Sequence, residues 1–356
     1  MTATAKTQVL RPGAEWDAWV QRSAHDFYHR SGYHAFAESM GEGKAQLLIH
    51  GTPECFVAWP QLLRTIENGM TDAGSVYGYT GPIGPGLLNP DFLQVAWSAF
   101  QKVWAKQKQV TLFTRMHPLL DNASPCAGLT TEISPSGGSL LTTGRSVSID
   151  ATLDTDTRRA LYPQPLRQDV KRAEREGVKV ILDRNWDYFD DFVRLYIETM
   201  QRSGASQAYH FSRDYFDRLR FALADVGHLA VAVKDSHAIG ALLFTVCGEH
   251  AAAHLTGTDA AFNRYSPLKL LLDRGTELVA SLGGTRLHLG AGRGGFEDSL
   301  FDFKSRFSKT RHDFTLGRWI LDRNAYEVLV RKNGAEPDEF FFPAYRLTAP
   351  EVRAAE

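Results

Sequence analysis

The sequence predicts an α/β chain of the α+β kind, with two domains that are each a mixed, mostly antiparallel sheet flanked by helices. Three observations lead there. Strand-like runs follow one another closely at 46–63 and again at 228–258, the spacing of antiparallel neighbours. Stretches of helical period lie between and after them, at 91–107, 166–176, 186–223 and 267–282. The 356 residues exceed one ordinary core, and around 121–150 the composition turns to Ser, Thr, Gly and Pro, with SPSGGS at 134–139, so a connection falls there.

A hydrophobic fraction of 43% with 23% charged residues describes a globular chain and excludes disorder as its main theme. The net charge of −1 exerts no overall pull on a polyanion. Any such partner must therefore be held by a local basic patch, and no DNA partner is expected. Cys55, Cys126 and Cys247 are odd in number and far apart, which fits free thiols in a reducing compartment. The N-terminus lacks the apolar core of a signal peptide and no apolar run is long enough to span a bilayer, so a cytoplasmic protein is expected.

In chain order, residues 14–40 carry Trp16, Trp19, Val20, Phe27 and Phe36 among polar residues, which reads as helix, turn and helix. His25, His29 and His34 sit there without cysteines or a carboxylate cluster, so they read as satisfied or surface histidines, and no metal is expected. QLLIH at 46–50 and CFVAWPQLL at 55–63 form a hairpin. SVYGYTGPIGPGLL at 75–88 cannot hold a long element. It places Tyr77 and Tyr79 on one side of an extended entry, either as a structural crossover or as a cleft wall. Helix 91–107 is expected to turn Phe92, Val95, Phe100 and Val103 inward, and VTLFTRMHP then forms a strand.

After the connection, SVSIDATLD resumes as a strand. LRQDVKRAEREGVKVIL reads as a helix with a Leu166, Val170 and Ala173 stripe, closed by Gly177 and followed by a strand. Its other faces carry Arg167, Lys171, Arg172 and Arg175 against acids, as a solvated ion-paired surface or a phosphate-contacting one. Two helices within 186–223 flank a loop at 203–211 that holds Tyr209 and His210, with Ser212 capping the second. A strand meander to 258, a helix from Pro267 and a strand at 285–289 follow. FTLGRWIL forms a last strand before a mixed tail that ends in FFFPAY at 340–345.

The densest chemistry lies in TRLHLGAGRGGFEDSLFDFKSRF at 285–307. Glycines 290, 292, 294 and 295 form a loop around Arg293, and Glu297 and Asp298 favour the start of a helix. On that helix Leu300, Phe303, Lys304 and Phe307 share one face. A cation there must find a partner, snorkel to water or line a cleft, where it could stabilise an oxyanion. The glycines also spell GxGxxG, but the acids suggest a helix start too late for a dinucleotide fingerprint.

The order of elements from 228 to 321 matches the second half of an N-acetyltransferase-like (GNAT) fold. YGYTGP at 77–82, the 166–180 phrase, YIETMQRSGASQAYHFSRDYF at 196–216 and LGAGRGGFEDSLFDFKSRF at 289–307 together resemble the FemAB family, across most of the chain from about 15 to 320. That resemblance implies two GNAT-like domains. The first would be 1–145 completed by the returning segment 318–356, and the second 146–317. It also implies an aminoacyltransferase that takes an aminoacyl group from aminoacyl-tRNA and joins it to an amine of a muropeptide precursor or other peptide-like acceptor. No cofactor is then needed beyond the donor.

Lys304, preceded by Phe303, matches the family's late FK, whose lysine stabilises the oxyanion. Tyr209 matches an aromatic position near the acceptor cleft, and the helix with Arg167, Lys171, Arg172 and Arg175 matches the family's basic helix, here assigned to RNA. Phe303, Tyr209, Arg293, Glu198, Arg202 and Tyr79 complete the candidate substrate contacts, with His254, Glu198 or the substrate itself as the base. The chain departs from an acyl-CoA GNAT at Asn263-Arg264-Tyr265-Ser266-Pro267-Leu268, where both glycines of the phosphate loop are missing. It also lacks the charged helical hairpin of some relatives and resembles the compact members. An acyl-CoA N-acyltransferase and a catalytically silent GNAT-like binding module remain the alternatives.

Overall fold

The computed structural model describes residues 5–129, 140–334 and 341–347. Two compact units emerge, one containing Met1–Gly144 and Asp313–Arg353, the other containing Arg145–His312. In chain order the elements are β1 (Lys6–Leu10), α1 (Ala14–Val20), α2 (Ser31–Ser39), β2 (Lys44–Thr52), β3 (Cys55–Thr65), β4 (Thr71–Gly74), α3 (Pro90–Lys106), β5 (Gln109–Arg115) and β6 (Leu140–Asp150). Next come α4 (Thr155–Ala160), α5 (Gln164–Arg175), β7 (Lys179–Asp183), α6 (Phe189–Ser203), α7 (Arg213–Leu223), β8 (Gly227–Lys234), β9 (His237–Cys247) and β10 (His250–Thr258). The chain then adds α8 (Pro267–Ser281), β11 (Arg286–Gly290), α9 (Ser299–Ser305), β12 (Arg311–Ile320) and α10 (Arg323–Lys332).

In the first unit the strands run β1-β2-β3-β4-β5-β12. All neighbours are antiparallel except β4 and β5. The hairpin between β2 and β3 forms as the alternation predicts. β1 and β4 were not foreseen, because five and four residues are too few to show a period. The core centres on Trp59, Trp97, Trp104 and Trp319, whose rings meet edge-on or tilted at 4.9–6.4 Å between centroids. This corrects the expected face of α3. Trp97 and Trp104 are buried with Leu93, Ala96 and Phe100, whereas Val95 is 57% exposed. Phe92 and Val103 lie at the rim of the buried stripe. Both stripes have helical period, and the larger tryptophans took the interior.

Asp72 on β4 is wholly buried and fully engaged. Its carboxylate accepts from Arg64 Nε at 2.8 Å, Arg346 Nε at 2.5 Å and Tyr345 Oη at 3.1 Å. Arg346 and Tyr345 belong to a 3₁₀ turn, Ala344–Arg346, so two residues of the tail close on one strand. Of the expected aromatic run, 341–345 is described, whereas Phe340 and SPSGGS lie outside the described residues.

The second unit orders its strands β6-β11-β10-β9-β8-β7. All pairs are antiparallel except β10 with β11. The meander, the stripe Leu166, Val170 and Ala173, and the Ser212 cap that accepts from Tyr215 N–H follow the sequence reading. Asp273 of α8, also wholly buried, ties α8 to α4 and to Tyr162 in the link between α4 and α5. It accepts from Arg159 Nη2 at 2.6 Å and Tyr162 Oη at 3.1 Å, while Arg158 Nη2 reaches its backbone carbonyl at 3.2 Å. Arg159 bridges on to Glu174 at 2.7 Å and Arg158 to Glu277 at 3.1 Å. Helix α4 itself escaped notice, since its six residues carry only Ala160 and no apolar stripe.

Candidate active site

In the second unit the chemistry gathers where β11 runs into α9. Gly294 and Gly295 hold φ 61° and 89° in the intervening loop, left-handed angles that cost glycine little. Gly292 is needed for space. A Cβ there would stand 2.1 Å from the Phe296 carbonyl oxygen and 2.3 Å from Asp298 Oδ1.

Asp298 is the N-cap of α9. Its Oδ1 accepts from the Leu300 and Phe301 N–H groups, both at 3.0 Å, and its Oδ2 from the Arg293 N–H at 3.3 Å. Burial works to raise this carboxyl, but the backbone donors outweigh it and hold it below the ordinary carboxylate range. Glu297 turns outward to Arg145 at 2.6 Å. The helix therefore opens after Gly295, as the sequence argument against a dinucleotide site requires.

Lys304 occupies the last turn of α9 and bends back over the loop, where Nζ donates to the Ala291 carbonyl at 2.5 Å. The residue as a whole is only part-buried, but its amine end is desolvated. Burial pulls the amine down to about 8, with the Asp298 charge opposing that fall. Among the described residues no carboxylate lies within ion-pair distance of it. An ammonium has three N–H donors, and among the described residues only the Ala291 carbonyl takes one, which leaves two to meet the oxygen of a bound molecule.

The expected apolar face needs correction. Helix α9 ends at Ser305, fewer than two turns, so Phe307 lies in the turn beyond it, and Phe301 is the helix's buried residue. Phe303 meets Phe307 edge-on at 5.6 Å, and Phe307 meets Tyr162 at 5.7 Å, so the aromatic wall exists but is assembled from helix and turn.

The remaining candidates are spread more widely. Arg293 has its side chain exposed and contributes its N–H to Asp298. Arg202 reaches from the end of α6 to the Thr258 carbonyl at 3.2 Å, so it ties α6 to the end of β10. Glu198 is engaged by Arg194 at 3.3 Å. Tyr209 lies in a 3₁₀ turn, and its carbonyl accepts from Tyr196 Oη at 3.1 Å. His254 stands at a β-bulge of β10. Tyr79 belongs to the first unit, where its ring packs edge-on against Tyr28 at 5.9 Å and Phe314 at 5.7 Å.

On α5, Arg167, Lys171 and Arg175 stand exposed with no ion-pair partner among the described residues, whereas Arg172 is held by Asp169 at 2.7 Å. Sequence reasoning missed two groups, the Ala291 carbonyl and the capping role of Asp298. Only the second had a signal, an Asp just ahead of an apolar helical run. At the start of α8, Ser266 adopts φ 51° and Pro267 offers no N–H, so the glycine-poor phosphate loop is also donor-poor. The three cysteines are free, and no group of three or more His, Cys, Asp or Glu able to hold a metal occurs among the described residues.

A family model described as an acetyltransferase (GNAT) domain matches residues 163–305. The UDP-N-acetylmuramoylpentapeptide-lysine N(6)-alanyltransferase of Weissella viridescens is 26% identical over 188 residues, which cover 50% of this chain and 53% of that protein. The chain thus spans about half the length of the curated relative it matches. Among solved structures, FemX superposes with a TM-score of 0.68 at 12% identity, covering 90% of this chain and 99% of its own. The C-terminal domain of a putative lysylphosphatidylglycerol synthetase from Agrobacterium fabrum gives 0.52 at 16%, covering 83% and 90%. These likenesses establish the GNAT-type fold.

Proposed function

We propose that this chain, which resembles the FemAB family and has a GNAT-type fold, transfers an aminoacyl group from aminoacyl-tRNA to an amine of a peptidoglycan precursor or similar peptide, forming an amide. The observation that carries this reading is Lys304, an ammonium in an apolar setting that bonds to a neutral carbonyl rather than to a carboxylate. The reaction needs little else. The ester carbon of the donor is already activated, so the amine adds, the carbonyl oxygen turns negative beside Lys304, and the ribose oxygen leaves with a proton. The alanyltransferase relative acts, by its name, on the lysine of UDP-N-acetylmuramoylpentapeptide, which supports an acceptor of that class.

We assign Phe303 and Tyr209 to the walls around the reacting groups, with Arg293 and Arg202 as further contacts. Of the possible bases, Glu198 is engaged by Arg194 in a surface ion pair, which leaves His254 or the substrate itself to take the amine proton. Incubation with labelled aminoacyl-tRNAs and candidate amines tests the reading. Amide formation with acyl-CoA alone would favour an ordinary N-acyltransferase, an outcome the donor-poor start of α8 argues against. Binding with no transfer to any amine would point to a silent module.

For the RNA we propose the α5 face. Replacing Arg167, Lys171 and Arg175 by Glu should weaken donor binding and flatten its salt dependence. The slope of log K against log salt should fall by roughly 0.7–0.9 for each phosphate that is no longer neutralised. An unchanged slope in a KCl titration removes RNA from this face.

A further inference from the structure

The loop between β11 and α9 and the helix itself form a closed ring with two fastenings. At one, the Asp298 carboxylate joins the Arg293 N–H of the loop to the Leu300 and Phe301 N–H groups of the helix. At the other, Lys304 returns from the last turn to the Ala291 carbonyl. Gly292 sits between them, where any Cβ would collide with Asp298 Oδ1. The chain thus gives up a side chain so that this carboxylate can lie against the loop.

We propose that Asp298 is the positioning residue for Lys304, clamping the loop to the start of the helix so that the ammonium keeps its place on the Ala291 carbonyl, with an opposite charge set in the same ring. The proposal rests on the reading of Lys304 as the oxyanion-stabilising cation. The charged neighbours leave this part to Asp298. Glu297 is engaged by Arg145, the Arg311 guanidinium stacks on Phe301 at 5.3 Å, and Asp302 and Arg293 are exposed. Burial lowers the Lys304 amine and Asp298 opposes it, so removing the charge lets the amine lose its proton at lower pH.

Two variants separate the cap from the charge. Asp298→Asn keeps the N-cap oxygen but gives up the charge and the second oxygen that accepts from the Arg293 N–H, and Asp298→Ala loses the cap as well. Trace acetylation of Lys304 across pH 6–10, read on its peptide by mass spectrometry, reports the protonation of the amine without any turnover. In Asp298→Asn the midpoint should move to lower pH with a smaller loss of thermal stability than in Asp298→Ala. Transfer at pH 8.5 should also fall roughly three-fold further than at pH 6.5, the effect of about half a pH unit. In Asp298→Ala the melting temperature should fall as well. An Asp298→Asn midpoint equal to the parent's overturns the proposal. If the midpoint moves but the parent transfers nothing, the coupling stands and the aminoacyltransferase reading fails.

Discussion

Replacing Lys304 by Ala should lower kcat by about 10²–10³-fold with a much smaller change in KM, the loss typical of one oxyanion donor. The reason is geometric. Two of the three ammonium N–H groups remain after Ala291 takes one, and they act on charge that exists only while the tetrahedral intermediate does. Steady-state kinetics with circular dichroism to confirm folding measures it. A variant that folds and turns over at the parent rate removes the lysine from the mechanism.

The same residue gives a pH signature. Its amine is depressed from the ordinary lysine value of 10.5 to about 8, so activity that needs the ammonium should fall above pH 8. For stability the sign runs the other way. Between about 8 and 10.5 the unfolded chain binds more protons than the folded one, so this group's contribution to stability grows with pH across that window. Urea unfolding at pH 7 and pH 10 should show the parent gaining about 1–2 kcal/mol relative to Lys304→Met, less than the full shift because the residue is only part-buried. Parallel changes in the two proteins would show that the amine is not desolvated.

The second large effect is expected at Asp273→Ala. Removing this carboxylate takes the partner of the Tyr162 hydroxyl and one of the two anchors of Arg159, and leaves the Arg158 guanidinium, whose side chain is 3% exposed, to Glu277 and the residue-273 carbonyl. Leaving a buried charge wholly without a partner costs about 3–5 kcal/mol, and Glu277 and Glu174 still answer the two arginines, so a loss of about 2–3 kcal/mol is expected, seen as a lower urea midpoint while the slope holds. Asp273→Asn should lose less, since an amide oxygen still accepts from Tyr162. Equal losses would assign the effect to packing rather than charge.

Much of this molecule was legible because long elements carry their period openly. The stripe of α5, the meander β8 to β10 and the Ser212 cap could each be read from spacing, and the glycine loop announced itself. What escaped did so for identifiable reasons. β1, β4 and α4 are shorter than the window over which a period shows. On α3 two stripes satisfied the same period and side-chain volume decided between them. At the site, Lys304 stood out as a cation among phenylalanines. Its partner is a backbone carbonyl, which no side-chain pattern encodes, and Phe307 was expected on a helix that stops before reaching it.

The clasp on Asp72 bears on anyone who shortens this protein. Trimming the chain ahead of Ala344 would withdraw Tyr345 and Arg346 together and leave Arg64 alone to answer a carboxylate with no access to water. A trimmed version intended as a tidier crystallisation target should therefore melt several degrees lower. Changing Asp72 to Asn in the trimmed version should recover part of the loss.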